Sequence, residues 1–188
     1  MKKMTVLATA AIVVATATMA FTDVGPRRFR EVLLGIKEVP VVSTTGSGTL
    51  ALEISKDETE IAYTLTFSDL EGDVTQSHIH IGPPQNTGNI VLWLCQTATN
   101  PDAQNPETPQ CTEHNPLDTR NGRVEGVLNA SRIRAQAANG IAAGEFGEVV
   151  ALIRAGKTYA NVHSAKFGPG EIRGQIGRGG GRSDHSGH

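Results

Sequence analysis

Thr49-Leu50-Ala51-Leu52-Glu53-Ile54-Ser55, then Lys56-Asp57-Glu58, then Thr59-Glu60-Ile61-Ala62-Tyr63-Thr64-Leu65-Thr66-Phe67 is the stretch that decides the fold class. Leu50, Leu52 and Ile54 recur at every second position of the first run, and Ile61, Tyr63, Leu65 and Phe67 do so in the second. A strand turns successive side chains to opposite faces, so a period of two gathers each set on one face. Two such runs joined by a short polar turn predict an antiparallel hairpin with those side chains inward.

Upstream, residues 31–42 hold Val32, Leu33, Leu34, Ile36, Val39, Val41 and Val42 and predict a first strand, stopped by Thr44-Thr45-Gly46-Ser47-Gly48. Downstream, residues 74–81 read as a strand ended by Gly82-Pro83-Pro84. Residues 88–95 form an almost continuous apolar run, the pattern of a strand covered on both sides. A Pro- and Asn-rich excursion then leads to a shorter strand over 122–128. In 129–156 the character changes: Phe146, Val149, Val150 and Ile153 fall at helical spacing and predict a helix over 145–155, with Gly156 at its C′ position. A further helical turn is expected near 131–138. Residues 158–164 and 171–176 are the last two strands; in the second, Ile172, Gly174 and Ile176 share one face and Glu171, Arg173 and Gln175 the other. The pattern predicts a mainly β domain, an antiparallel sandwich or barrel with one or two short helices. Ile79, Ile81, Val91 and Ile172 join the hairpin residues in its expected core.

The length, 188 residues, suits one domain. A formal net charge of −2 provides no basic field, so nucleic acid is not an expected partner. Residues 1–20 have the layout of a secretory signal peptide: Lys2 and Lys3, an apolar run, then small residues offering cleavage after Ala17 or Ala20. That run is shorter than the ~20 residues a bilayer span requires, and no other run is long enough, so the mature chain is expected without a membrane span. Residues 21–30 read as a leader, 31–176 as the domain, and 177–188, a Gly/Arg/His tail, as disordered. An exported location, periplasmic or extracellular, follows. Export also favours a disulfide between Cys95 and Cys111 over a pair of thiolate metal ligands.

Ser77-His78-Ile79-His80-Ile81-Gly82 puts two imidazoles on one strand face, and Tyr159-Ala160-Asn161-Val162-His163-Ser164 puts Tyr159, Asn161 and His163 on one face of another. His78, His80 and His163 are therefore candidate ligands for copper or zinc. The competing reading is a hydrogen-bonded trio satisfied by Asn161, Glu171, Arg173 or backbone groups. Glu171 and Arg173, side by side on their strand, either orient a ligand or a metal-bound histidine, or form a structural ion pair. No catalytic residue emerges: Ser164 follows His163 directly and faces the other way, so the two do not form a nucleophile–base pair. Asp69, Glu71 and Asp73 lack the spacing of a calcium loop. His114 lies in the long loop, and His185 and His188 in the tail.

These motifs, with Gly88-Asn89-Ile90-Val91, Gly156-Lys157-Thr158 before Tyr159, and Gly170-Glu171-Ile172-Arg173-Gly174-Gln175-Ile176, resemble the chordin domain (CHRD) family over roughly residues 32–176. The resemblance implies an immunoglobulin-like or superoxide-dismutase-like β-sandwich or barrel and no assigned enzymatic activity. With one domain copy and none of chordin's cysteine-rich modules, growth-factor binding does not carry over. The leading expectation is a non-catalytic binding or structural module of the periplasm, cell surface or extracellular matrix, with an unidentified protein or matrix partner. The alternative is a copper- or zinc-binding protein using the three histidines. A dismutase-like enzyme ranks third: His-x-His-Gly is similar to the copper-binding strand of the dismutases, but no sequence-adjacent cluster supplies a bridging imidazole and a zinc site.

Overall fold

The computed structural model describes residues 25–177. The expected signal segment, most of the leader and almost all of the tail lie outside the described residues. Eight strands follow in chain order: β1 (Arg28–Leu34), β2 (Ser47–Ile54), β3 (Glu60–Ser68), β4 (Val74–Ile81), β5 (Ile90–Cys95), β6 (Gly122–Asn129), β7 (Thr158–Ser164) and β8 (Ile172–Ile176). One helix, α1 (Phe146–Arg154), stands between β6 and β7. All strands belong to one sheet in the order β5-β4-β7-β8-β1-β2-β3-β6, with every neighbouring pair antiparallel.

The hairpin forms as its pattern predicts. Leu50 pairs with Leu65, Leu52 with Tyr63 and Ile54 with Ile61, and all six are buried. Ile79, Ile81, Val91 and Ile172 are buried with them. The sheet curls until its edges β5 and β6 approach, making a nearly closed barrel. The Tyr63 hydroxyl crosses from β3 and donates to the Leu94 carbonyl of β5 at 2.6 Å. No helix among the described residues is long and apolar enough to cross a membrane.

The first strand departs from expectation. It begins at Arg28, inside the segment read as a leader, and ends at Leu34 instead of continuing to Val42. Gly35 starts a short 3-10 turn, and the Val42 N–H returns to the Gly35 carbonyl at 3.0 Å. A Cβ at Gly35 would lie 2.4 Å from the carbonyl oxygen of Val42, so the chain turns where a side chain does not fit. The apolar residues beyond the turn are not core: Ile36 and Val41 are 72% and 66% exposed.

Helix α1 buries Phe146, Val149, Val150 and Ile153, the residues its period selects. It ends as expected at Gly156, whose φ of 68° suits the left-handed C′ position. The Gly156 N–H bonds Ile153 O at 3.0 Å and the Lys157 N–H bonds Leu152 O at 2.9 Å, which together form a Schellman stop. The expected helical turn near 131–138 resolves into two 3-10 turns, Ala130–Arg132 and Ala137–Asn139. Between them the Arg134 N–H and the Gln136 side chain bond the Val91 and Ile90 carbonyls of β5, covering that open edge.

Cys95 and Cys111 are bonded, with sulfurs 2.08 Å apart. The loop they close lacks apolar periodicity and is held by a polar lattice instead. The Gln96 amide donates to Pro106 O (2.9 Å) and Thr108 O (2.6 Å) and accepts from the Asp102 N–H at 2.7 Å. Asp102 is 1% exposed, accepts from the Thr108 hydroxyl at 2.9 Å and pairs with Arg134.

Candidate metal centre

Strands β4 and β7 are adjacent, with His80 opposite Tyr159, His78 opposite Asn161 and Gln76 opposite His163. Ile79, Ala160 and Val162 enter the apolar core from one side of these strands. The other side does not look into water. Residues 82–88, residues 168–170 and Trp93 close over it, leaving His78, His80 and His163 at 0%, 7% and 6% exposure.

The three imidazoles converge, each offering a ring nitrogen within 4.8 Å of the others. His78 Nδ1 lies 3.2 Å from His163 Nε2. Four ligands at about 2.0–2.1 Å from a tetrahedral ion stand about 3.3 Å apart, so this pair already has that spacing. The separations within the cluster reach up to 4.8 Å.

The hydrogen bonds fix the tautomers of two rings. His80 Nδ1 meets Gly88 O at 2.9 Å and His163 Nδ1 meets Gly168 O at 2.7 Å. A carbonyl only accepts, so both rings carry their proton on Nδ1 and, when neutral, present a lone pair at Nε2. Those two Nε2 atoms face Asn161 Oδ1 at 3.1 Å and 3.0 Å. Turning the amide over would pair the rings with its NH₂. It would also bring Oδ1 to the position 3.5 Å from Pro169 O that Nδ2 now holds, on the side where Glu38 lies. As oriented, Asn161 Oδ1 faces two ring acceptors. With His163 protonated on Nδ1, His78 Nδ1 donates to His163 Nε2 at 3.2 Å. That leaves the contact between His80 Nε2 and Asn161 Oδ1 without a proton, one that a cation in place of the His78 proton would resolve. His78 adds a fourth element: its Nε2 is buried without a hydrogen-bond partner beside the Trp93 ring, whose centroid is 4.2 Å away.

Burial keeps the rings neutral. Desolvation, reinforced by the neighbouring His163 and His80 charges, pushes His78 down to about 2. His80 falls to about 4, again chiefly by desolvation and partly offset by its bond to Gly88. His163 is lowered by the same cause. Neutral imidazole is the form that ligates metal. The bonds from Nδ1 to carbonyls are also the ones that orient ligating histidines in metal sites.

The flanking residues divide. Asn161 stands in the middle of the cluster. Arg173 does not reach the rings directly: its guanidinium stacks 3.4 Å over Tyr159, which itself lies parallel to His80 with centroids 4.7 Å apart. Glu171 is committed elsewhere, accepting from the Thr44 hydroxyl at 2.6 Å and the Glu71 N–H at 2.7 Å. Arg173 donates to Asn86 O at 2.8 Å and Pro83 O at 3.5 Å, so the expected Glu171–Arg173 ion pair gives way to two loop anchors. The neighbouring loops explain the split: Glu171, just before β8, meets Thr44 and Glu71, while Arg173, within the strand, meets the 83–86 loop.

Glu38 was not among the expected site residues. It is 6% exposed, and burial pushes its carboxyl up to about 7 against the lowering influence of Arg173. Its Oε1 and Asn161 Nδ2 both crowd the point where a Gly170 Cβ would sit, at 2.4 Å and 2.7 Å. A lone acid in the apolar run from Val32 to Val42 was the available signal. Among the described residues the remaining histidine, His114, is exposed and follows Cys111, outside the loop that the disulfide closes.

Comparison with curated proteins and with solved structures finds no match. The sequence profile described as CHRD domain matches residues 29–176, from the second residue of β1 to the last of β8 and across every residue of the histidine cluster. The chain belongs to the CHRD-domain family.

Proposed function

We propose that this CHRD-domain protein is an exported metal-binding protein that holds one copper or zinc ion on His78, His80 and His163. The observation that carries the reading is the convergence of imidazole lone pairs on the Asn161 carbonyl oxygen, in a site too buried for protonated rings. Three neutral nitrogen donors suit either ion. A bound ion would replace the mutual repulsion of acceptors by coordinate bonds, and Asn161 Oδ1 stands where a further oxygen donor is available. The disulfide and the absence of a membrane-crossing helix among the described residues are compatible with export. The test is elemental analysis of protein purified from a native exported fraction. About one equivalent of copper or zinc, lost in His78→Ala, is expected; protein that carries no metal and gives no calorimetric response to added Cu²⁺ or Zn²⁺ overturns the reading.

A second reading, a non-catalytic binding or structural module, rests on a different observation. His80 is already stacked on Tyr159, and both its ring nitrogens have neighbours. In that case Asn161 donates to both rings, and the cluster is polar packing beneath two loops. A dismutase-like enzyme has less support, because the described residues offer a single histidine cluster.

A further inference from the structure

Alternate residues of β1, β2, β3 and β6 enter the core, and the others form a four-stranded face on the outside of the barrel. The register sets the middle row of that face out as Arg30, Ala51, Thr64 and Glu125. The two flanking rows run from Val32 to Arg123 and from Arg28 to Val127. Val32 and Val127 are 47% and 49% exposed, apolar surface left open among the described residues. Between those ends the β2 and β3 columns hold Ala51, Ala62, Thr49, Thr64 and Thr66, with Glu53 as the one long side chain.

Small central side chains let a second sheet approach to about 10 Å, the spacing of packed sheets. The Thr49 and Thr66 hydroxyls bond each other at 2.8 Å, and the Thr64 hydroxyl donates to Glu125 Oε1 at 3.2 Å, so covering them orphans none of the three. The charges on the face balance, Arg28, Arg30 and Arg123 against Glu53, Glu60 and Glu125, which suits neither a polyanion nor a polycation. Two of these groups are left to pair outside the chain. Arg30 joins no ion pair among the described residues. Glu125 takes both Thr64 and Arg123 on Oε1, which leaves Oε2 open.

We propose that this face is a self-association surface, on which two copies of the chain pack sheet to sheet and exchange Arg30–Glu125 ion pairs. Turning a second copy by 180° about an axis along the strands, between β2 and β3, lays β1 over β6 and β2 over β3 with each row over itself. Arg30 of either copy then meets Glu125 of the other, so one contact is made twice, as a two-fold interface requires. Val32 meets the aliphatic stem of Arg123 and Val127 that of Arg28, which covers the exposed apolar side chains. The centre is small and free of charge apart from Glu53, and the rim is charged, the usual division of an interface. The plate is roughly 20 Å on a side, small for a specific interface, so the dimer is a reversible one. The histidine cluster lies on β4 and β7 under its own loops, and the pairing does not depend on a metal there.

The experiment is sedimentation velocity of the metal-free full chain at low salt, from about 1 μM to about 1 mM, the range in which a small interface forms and dissociates. The average mass should rise from that of one chain toward that of two. Arg30→Glu sets like charges against each other at both symmetric contacts and should weaken association at least about tenfold. Combining Arg30→Glu with Glu125→Arg restores opposite charges and should bring association back to within about threefold of the unaltered chain. Both positions are exposed, so the exchanges leave the core untouched. A chain that stays monomeric over the whole range, association that Arg30→Glu leaves unchanged, or a double variant no tighter than Arg30→Glu alone overturns the proposal. Working without metal keeps the result independent of whether the histidines hold an ion.

Discussion

At the scale of single residues, Gly170 shows how tightly the site is built. Its φ of 139° lies in a region that favours glycine, and a Cβ there would strike Glu38 Oε1 and Asn161 Nδ2. Gly170→Ala should therefore cost at least about 2 kcal/mol in chemical denaturation, through backbone strain and displaced polar groups together. A loss under about 0.5 kcal/mol, the size of an ordinary surface change, would refute that account. The histidines were legible as a set because strand alternation assigns each side chain a face before any coordinates exist. Glu38 was not. Its placement follows from a turn at Gly35 that folds the 36–41 segment back over β8, and residue spacing along a supposed continuous strand does not contain that reversal. Glu171 and Arg173 illustrate the same limit: alternation put them on one face, but the loops above that face decided their partners.

At the scale of elements, the strongest periodicities gave boundaries within a residue or two, as in β4, β7 and α1. The Cys95–Cys111 loop was legible only as a crosslink. What holds its interior is Gln96, Asp102 and Thr108 bonding to one another and to nearby backbone, a pattern with no period to detect. Replacing both cysteines by alanine should lower stability by about 3 kcal/mol, the loop-closure value for this separation. Measured by urea unfolding, a loss below about 1 kcal/mol would refute the loop-closure account of the crosslink. The gap between β5 and β6 offers a second check. Tyr63→Phe removes the donor to Leu94 O and leaves a buried carbonyl unpaired, a cost of about 1–3 kcal/mol. Amide exchange in β5 should accelerate; unchanged exchange there would show that the two edges hold without the hydroxyl.

At the scale of the whole molecule, the buried titratable groups make stability depend on pH. The three histidines have pKa values depressed below about 6.5, their ordinary value. Their contribution to the metal-free fold is complete above that pH and is lost as pH falls, because the unfolded chain takes up protons the native one refuses. Glu38 acts in the opposite sense: raised to about 7, its contribution is complete below about 4.3 and is lost as pH rises through 7. Between about pH 6 and 5, unfolded His78 and His80 each bind a proton while native Glu38 binds one, and His163 adds to the histidine side. The metal-free protein should thus lose stability, on the order of 1 kcal/mol per pH unit over that interval, read from urea unfolding at successive pH values. Stability that is flat or rises toward pH 5 would contradict the neutral, desolvated rings.

One architectural detail governs the timing of anything that happens at the histidines. The 82–88 and 168–170 segments seal them by backbone carbonyls bonded straight onto the imidazoles. Traffic in either direction must wait for those lids to lift. For an ion bound as proposed, uptake should accordingly level off to a fixed rate as its concentration grows, and release to a chelator should run at a pace the chelator does not set.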